Sequence, residues 1–182
     1  MTKAAVIAFS ARIASGKSTV SAAVAEGLGW PRAGFGDYLR GLAAIRGLGG
    51  ARETLQELGA SLIRDSLEQF CLSVLNSAGW EPGEGIVLDG IRHVQTLNTL
   101  RNIVAPMPVL LIYLDVPEVL RGERLRERGI SESVAELHER HSTERQVMDA
   151  LPSIADFRID ASAPLISVQA EIVAWIHATL SE

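Results

Sequence analysis

Short apolar runs alternate with segments of helical periodicity along almost the whole chain. Each run is short, mostly apolar and bounded by Gly, Pro or Asp, which is typical of strands buried on both faces. The predicted strands are 4–9, 33–35, 85–89, 109–115 and 157–160. The predicted helices are 17–28, 38–45, 52–76 with a break near 60–62, 94–104, 117–128, 134–148 and 165–180.

This alternation predicts an α/β fold in three layers, with a parallel sheet of about five strands covered by helices on both faces. The chain has 182 residues, and no stretch rich in Pro, Gly and Ser divides it. That length suits one domain with a sizeable core. We therefore expect a single domain over residues 1–182.

Composition excludes several classes of protein. Hydrophobic residues make up 47% and charged residues 21%, and the formal net charge is −5. An acidic balance argues against sequence-independent nucleic-acid binding, which needs a basic surface. The first apolar run is too short to span a membrane. Cys71 is the single cysteine, so no intrachain disulfide is possible and a reducing cytoplasm is the simplest location.

The segment between the first predicted strand and the first predicted helix has the features of a phosphate-binding loop. Such a loop needs backbone N–H groups and a helix N-terminus around phosphate oxygens, a Lys that bridges phosphates, and a hydroxyl for Mg²⁺. Gly16, Lys17 and Ser18 meet these needs. The predicted ATP-binding residues of the loop are Ala11, Arg12, Ala14, Ser15, Gly16, Lys17, Ser18 and Thr19.

One position of the loop departs from the usual pattern. The pattern places Gly at position 11, where this chain has Ala11. A left-handed conformation would cost a non-Gly residue roughly 1–2 kcal/mol, so Ala11 fits if its φ is negative or the strain is tolerated. The loop alone is compatible with ATPases, GTPases and kinases, but the Asn-Lys-x-Asp motif of GTPases is absent.

Two further segments are similar to the acceptor site of adenylate kinase and its nucleoside monophosphate kinase relatives. They are Gly-Asp-Tyr-Leu-Arg, which ends at Arg40, and Leu-Asp-Gly-Ile-Arg, which ends at Arg92. The resemblance implies that both arginines grip the acceptor phosphate and that Asp37 orients the acceptor. It implies a water-mediated Mg²⁺ contact for Asp89. The simpler interpretation of one such Arg is a solvated charge at a helix end. Arg40 and Arg92, however, both follow the carboxyl end of a predicted strand, where α/β sheets bind ligands.

The second segment lacks the Pro that this family carries before its Arg, so Arg92 comes one residue early. Gln95 or His93 would then read the acceptor base. The pair His138 and His141 lies three residues apart, whereas a zincin needs a spacing of four. We therefore interpret these two histidines as a solvated helix face, and Cys71 as a buried structural thiol.

The helix predicted after Pro117 carries arginines at the spacing of the donor side of the same family. The resemblance implies that Arg124 packs on the adenine and that Arg128 reaches the transferring phosphate. An exposed helix of paired Glu and Arg is the alternative interpretation. The following segment is short, like the lid of dephospho-CoA kinase and phage-type deoxynucleoside monophosphate kinases, and by that resemblance Arg140 or Arg145 closes over the phosphates. Residues 160–164 resemble the loop beside the donor adenine.

The resemblance divides the chain into a core (1–36, 84–128 and 149–182), acceptor-binding helices (37–83) and a lid (129–148). It implies an ATP-dependent phosphotransferase that uses Mg²⁺, most specifically a (deoxy)nucleoside monophosphate kinase. Two alternatives stay open. In a dephospho-CoA kinase-like enzyme, Asp37 would act as base on a ribose hydroxyl. A low-turnover ATP-binding regulatory module would explain Ala11. The oligomeric state is not indicated.

Overall fold

The computed structural model describes residues 3–127, 129–130 and 147–181. Its sheet has five strands in the order β2-β3-β1-β4-β5, and every neighbouring pair is parallel. The central strand β1 therefore has two strands on either side. The strands are β1 (Val6–Ala11), β2 (Arg32–Gly34), β3 (Ile86–Asp89), β4 (Val109–Asp115) and β5 (Phe157–Asp160).

Helices cover both faces of this sheet, so the predicted α/β architecture is confirmed. Along β1, Val6 and Ala8 pack on the face of α3 and α4, whereas Ile7 and Phe9 pack on the face of α1 and α7. This alternation follows from the two-residue period of a strand. The helices are α1 (Lys17–Leu28), α2 (Phe35–Ile45), α3 (Arg52–Asn76), α4 (Val94–Val104), α5 (Glu118–Glu127), α6 (Ala150–Ser153) and α7 (Leu165–Ser181).

Two element boundaries near the site differ from the predicted ones. The first strand continues to Ala11, because Ser10 and Ala11 still pair with Tyr113 and Leu114 of β4. Helix α2 begins at Phe35, directly after a β2 of three residues. The Gly-Asp-Tyr-Leu-Arg segment therefore lies in the first turns of a helix.

The break in α3 lies at Ser66, four residues beyond its predicted range. Ser66 has non-helical backbone angles (φ −166°, ψ 100°). Its Oγ accepts a hydrogen bond of 3.2 Å from the N–H of Gln69, so Ser66 caps the second half of the helix. Ser-x-x-Gln is the sequence signature of such a cap, and continuous helical periodicity on both sides concealed it. The helix predicted over 134–148 lies almost entirely outside the described residues.

The single thiol is part of the core. Cys71 is fully buried beside Phe70 and Val74 on the α3 face of the sheet, and burial raises its pKa to about 12. Within the described ranges, none of the helices has both the length and the apolar character that crossing a membrane requires.

We expect Cys71 to be almost inert toward Ellman's reagent in the native protein. At pH 8 a thiol with this pKa is about one part in ten thousand thiolate, and thiolate is the reactive form. The measurement is the release of thionitrobenzoate, which should be slow without denaturant and complete in guanidinium chloride. Rapid stoichiometric release from the folded protein would contradict the buried placement of Cys71.

Candidate active site

The loop between β1 and α1 presents the N-terminus of a helix at the carboxyl end of the central strand. Gly16 is the N-cap residue, with left-handed backbone angles (φ 80°, ψ 12°), and no described side chain caps the helix. The first N–H groups of α1 and the positive end of its dipole therefore face the loop. This arrangement suits an anion such as a phosphate group.

The left-handed alanine of the loop is Ala14 rather than Ala11. Ala11 is the last residue of β1, pairs with Leu114 and is 2% exposed. Ala14 has a φ of 62° and is the non-glycine residue with positive φ in the described part of the chain. The missing glycine at position 11 therefore causes no left-handed strain, whereas Ala14 bears roughly 1–2 kcal/mol.

Replacing Ala14 with Gly is expected to raise the free energy of unfolding by about 0.5–1 kcal/mol. The change removes the left-handed strain but gives the unfolded chain more freedom, so part of the gain is offset. Urea denaturation measures this difference. Ala11→Gly is the matched control and should lower stability, because position 11 is extended and its methyl group is buried. If the Ala14→Gly protein is no more stable than the Ala11→Gly protein, the claim that Ala14 is strained is wrong.

Lys17 and Asp89 meet at the centre of the site. Lys17 is the first residue of α1, and its ammonium group donates to one carboxylate oxygen of Asp89, which ends β3. The other oxygen of Asp89 accepts a hydrogen bond of 2.5 Å from Nη2 of Arg32. The Asp89 side chain is only 6% exposed, so two cations compensate a buried carboxylate.

The oxygen atoms beside this pair fit Mg²⁺. Asp89 offers a carboxylate, and Ser18 offers a hydroxyl in the first turn of α1. Mg²⁺ prefers oxygen ligands and is usually bound by one or two protein groups together with substrate phosphates and water. Across the described ranges, no group of three or more His, Cys, Asp and Glu side chains could hold a metal ion.

A cavity of about 370 Å³ lies next to Gly90, between α2, α3 and the start of α4. Arg40 and Arg92, both predicted to bind the acceptor, line this acceptor cavity. Arg52 and Arg64 also line it, and the sequence analysis did not single them out. Its apolar wall comprises Phe35, Leu39, Leu55, Ile63 and Phe70.

The spacing along α3 places the two additional arginines on the face of the helix that lines the cavity. Residues 52, 55, 56, 59, 60, 63 and 64 all line the acceptor cavity. Steps of three and four residues place them in one stripe along the helix. Arg52 and Arg64 are the two ends of this stripe, and Gly59, at its middle, packs closely against Leu39 of α2.

The remaining predicted acceptor residues are placed differently from one another. Asp37 does not line the acceptor cavity but accepts a hydrogen bond of 2.5 Å from Nη2 of Arg40. Gln95 is exposed on α4 and lies outside the cavity lining, whereas His93 and Thr96 belong to it. The structure thus brings His93, the other candidate for base recognition, to the cavity, and it does not bring Gln95 there.

A second cavity, of about 310 Å³, is lined by the loop and the start of α1, by α5 and by the start of α7. Arg124 lines this donor cavity, and its Nη1 atom is buried without a hydrogen-bond partner among the described residues. That atom lies 3.6 Å from where a Cβ on Gly16 would be. Since buried polar groups are normally paired, such an atom is suited to a ligand. Ser15, Thr19, Ala161 and Ala163 also line the cavity.

An ion-pair cluster fixes α5 against the loop. Nη1 of Arg12 lies 2.7 Å from Oε2 of Glu118, and Glu118 also accepts hydrogen bonds from Arg121. The hydrogen bond from Arg121 holds the pKa of Glu118 below its usual value. Arg121 is 4% exposed, and Arg124 lies one turn further along the same helix. Arg128, Arg140 and Arg145 lie outside the described residues.

Comparison with known protein families shows which families the chain resembles. The family model described as AAA domain matches residues 14–161. A UPF0200 protein of Aeropyrum pernix is 33% identical over 161 residues, which cover 86% of this chain and 84% of that protein. A UPF0200/UPF0201 protein of Archaeoglobus fulgidus is 31% identical over 164 residues, and the chain spans half of its length.

Solved structures with the same fold include two kinases. A gluconokinase from Sinorhizobium meliloti 1021 has a TM-score of 0.64 and 18% identity, covering 100% of this chain and 96% of that one. A shikimate kinase from Aquifex aeolicus has a TM-score of 0.63 and 17% identity, covering 96% of this chain and 97% of that one. At these identities the likeness shows a shared fold, and the acceptors differ between those two enzymes.

Proposed function

Since the chain belongs to the UPF0200 family and the AAA domain family and has the fold of the P-loop kinases, we propose that it is an ATP-dependent phosphotransferase. The observation that carries the proposal is the contact between Lys17 and Asp89, because the residue before Lys17 lines one cavity and the residue after Asp89 lines the other. The donor cavity beside Arg124 suits the base and sugar of ATP. The acceptor cavity borders Gly90, next to Asp89, so the terminal phosphoryl group would face it.

We propose that the acceptor is a small phosphate-bearing molecule, most specifically a (deoxy)nucleoside monophosphate. Arg40, Arg52, Arg64 and Arg92 line the acceptor cavity, and guanidinium groups match two phosphate oxygens at once. Such a lining favours a dianionic phosphate over an uncharged sugar. The apolar wall suits the flat, weakly polar faces of a nucleobase.

In this mechanism the protein supplies position and charge. The loop amides and Lys17 hold the β- and γ-phosphates, while Arg40 and Arg92 hold the acceptor in line. Bound Mg²⁺, held by Ser18 and through water by Asp89, would neutralise phosphate charge. Phosphoryl transfer has a loose transition state and little need for a strong base, so Asp37, which pairs with Arg40, suits an orienting role.

A reducing cytoplasm, which suits the free thiol of Cys71, is the compartment we expect.

The test is ADP formation from Mg·ATP with a panel of acceptors. The panel comprises ribo- and deoxyribonucleoside monophosphates, dephospho-CoA, gluconate and shikimate, and product is identified by mass spectrometry. We expect stimulated ADP formation with a diphosphate product. If the phosphorylated product comes from dephospho-CoA, gluconate or shikimate, the proposed nucleoside monophosphate acceptor is wrong and that compound takes its place. ADP formation that no acceptor stimulates, or none at all, would favour the ATP-binding regulatory module.

A further inference from the structure

We propose that Arg32 is a positioning residue that couples the donor side of the site to the acceptor side. The inference rests on the phosphotransfer function proposed above. Arg32 begins β2, next to β3 in the sheet, and its guanidinium group contacts residues on both sides of Lys17. Arg32 is not among the predicted site residues, because a single arginine at the start of a three-residue strand forms no motif.

Three contacts fix the plane of the Arg32 side chain. Nε donates to Oγ of Ser21 over 2.9 Å, Nη2 donates to Asp89 over 2.5 Å, and Nη1 lies 3.4 Å from a carboxylate oxygen of Asp37. Ser21 is fully buried in α1 and donates in turn to the carbonyl oxygen of Ser18. A planar fork held at three points cannot adjust one contact without moving the others.

On the donor side, Arg32 compensates the charge of Asp89 when Lys17 changes partner. Lys17 contacts Asp89 in the structure, and its proposed role is to contact the triphosphate. Asp89 is 6% exposed, so a carboxylate left by Lys17 needs another cation close by. Nη2 of Arg32 supplies that cation and holds the carboxylate in position.

On the acceptor side, the guanidinium group of Arg32 is linked to Arg40 through Asp37. Nη1 of Arg32 contacts Asp37, and Asp37 accepts a hydrogen bond of 2.5 Å from Arg40, which lines the acceptor cavity. The series Asp89, Arg32, Asp37, Arg40 therefore leads from the metal side to the acceptor. Occupation of the donor side should alter the placement of Arg40, and by linkage the reverse should hold.

The test compares Arg32→Met and Arg32→Lys with the wild-type protein by titration calorimetry. Each protein is titrated with Mg·AMPPNP, with AMPPNP in EDTA, and with each acceptor of the panel named above, with and without Mg·AMPPNP. Arg101→Met is the matched control, because Arg101 is a partly exposed arginine on α4 with one long contact of 4.0 Å to Asp156. Thermal melting verifies that each variant is folded.

We expect wild-type protein and Arg101→Met to bind the acceptor about 5–150-fold more tightly when Mg·AMPPNP is present, the usual range for coupled sites. In Arg32→Met this ratio should fall close to one, and Mg·AMPPNP should bind at least tenfold more weakly while AMPPNP in EDTA binds as before. Arg32→Lys should retain most of the Mg·AMPPNP affinity and lose the coupling, because an ammonium group cannot bridge two carboxylates as a fork does.

An unchanged ratio in Arg32→Met, or a wild-type ratio of one, would overturn the proposal. If Arg32→Met does not fold, the ratio measured for Arg32→Lys decides. If wild-type protein binds Mg·AMPPNP but no acceptor on the panel, the proposed function fails by itself. The claim for Arg32 then depends on the donor titrations: a Mg²⁺-dependent loss in Arg32→Met but not in Arg101→Met supports it, and equal binding overturns it.

Discussion

Lys17→Ala is expected to reduce acceptor-dependent ADP formation by about a thousandfold or more. Lys17 is the first residue of α1, and its ammonium group contacts Asp89 beside the proposed phosphate position. Loss of one preorganised charge that stabilises phosphoryl transfer is worth about 10²–10⁵ in rate. The measurement is kcat from a coupled ADP assay with saturating Mg·ATP and acceptor.

The fold should survive this change. Asp89 keeps its contact with Arg32, so the loss of Lys17 should cost only about 1–3 kcal/mol of unfolding free energy. Lys3 is the chain's other lysine, and Lys3→Ala is the control that should have normal activity. A folded Lys17→Ala protein with kcat within tenfold of wild type would remove Lys17 from the catalytic machinery.

Arg40→Ala is expected to raise the acceptor KM by roughly 10–100-fold while the KM for ATP changes little. Arg40 lines the acceptor cavity and not the donor cavity. A hydrogen bond to a charged group contributes about 1.5–3 kcal/mol, and each 1.4 kcal/mol is a factor of ten. Initial rates with each substrate varied in turn separate the two constants.

Arg46→Ala is the matched control for this variant. Arg46 is exposed at the end of α2, the helix that carries Arg40, and it lines neither cavity. Its removal changes the net charge by the same amount, so a general electrostatic effect would raise the acceptor KM in both variants. An unchanged acceptor KM in Arg40→Ala would remove Arg40 from the acceptor site.

Most of the sheet could be predicted because its three central strands are short apolar runs with clear boundaries. Strand ends were less certain, since Ser10 and Ala11 carry no apolar signal and are extended only because β4 pairs with them. The position of the left-handed alanine was also hard to predict. The motif pattern pointed to position 11, whereas the turn places the left-handed conformation at Ala14. Pairing partners and turn geometry, which are not local properties of sequence, determine both.

Site residues that belong to a sequence motif could be predicted. Site residues whose role comes from tertiary contacts could not. The loop lysine and the arginines at 40 and 92 stand in recognisable motifs, and the structure places the two arginines at one cavity. Arg32 has no such motif, because its importance comes from contacts with Asp89 and Asp37. For Arg52, helical periodicity indicated the helix but not which neighbours it would face.

The central claim is that residues 10–19 hold a triphosphate with Lys17 beside its terminal phosphate. An acyl phosphate of ATP, which carries a reactive carbonyl at the γ-phosphate, tests it directly, because the chain has only two lysines. The account predicts acylation of Lys17, suppressed by excess Mg·ATP, with Lys3 unlabelled in peptide mass spectrometry. Equal labelling of both lysines, or labelling of Lys17 that Mg·ATP does not suppress, would contradict it.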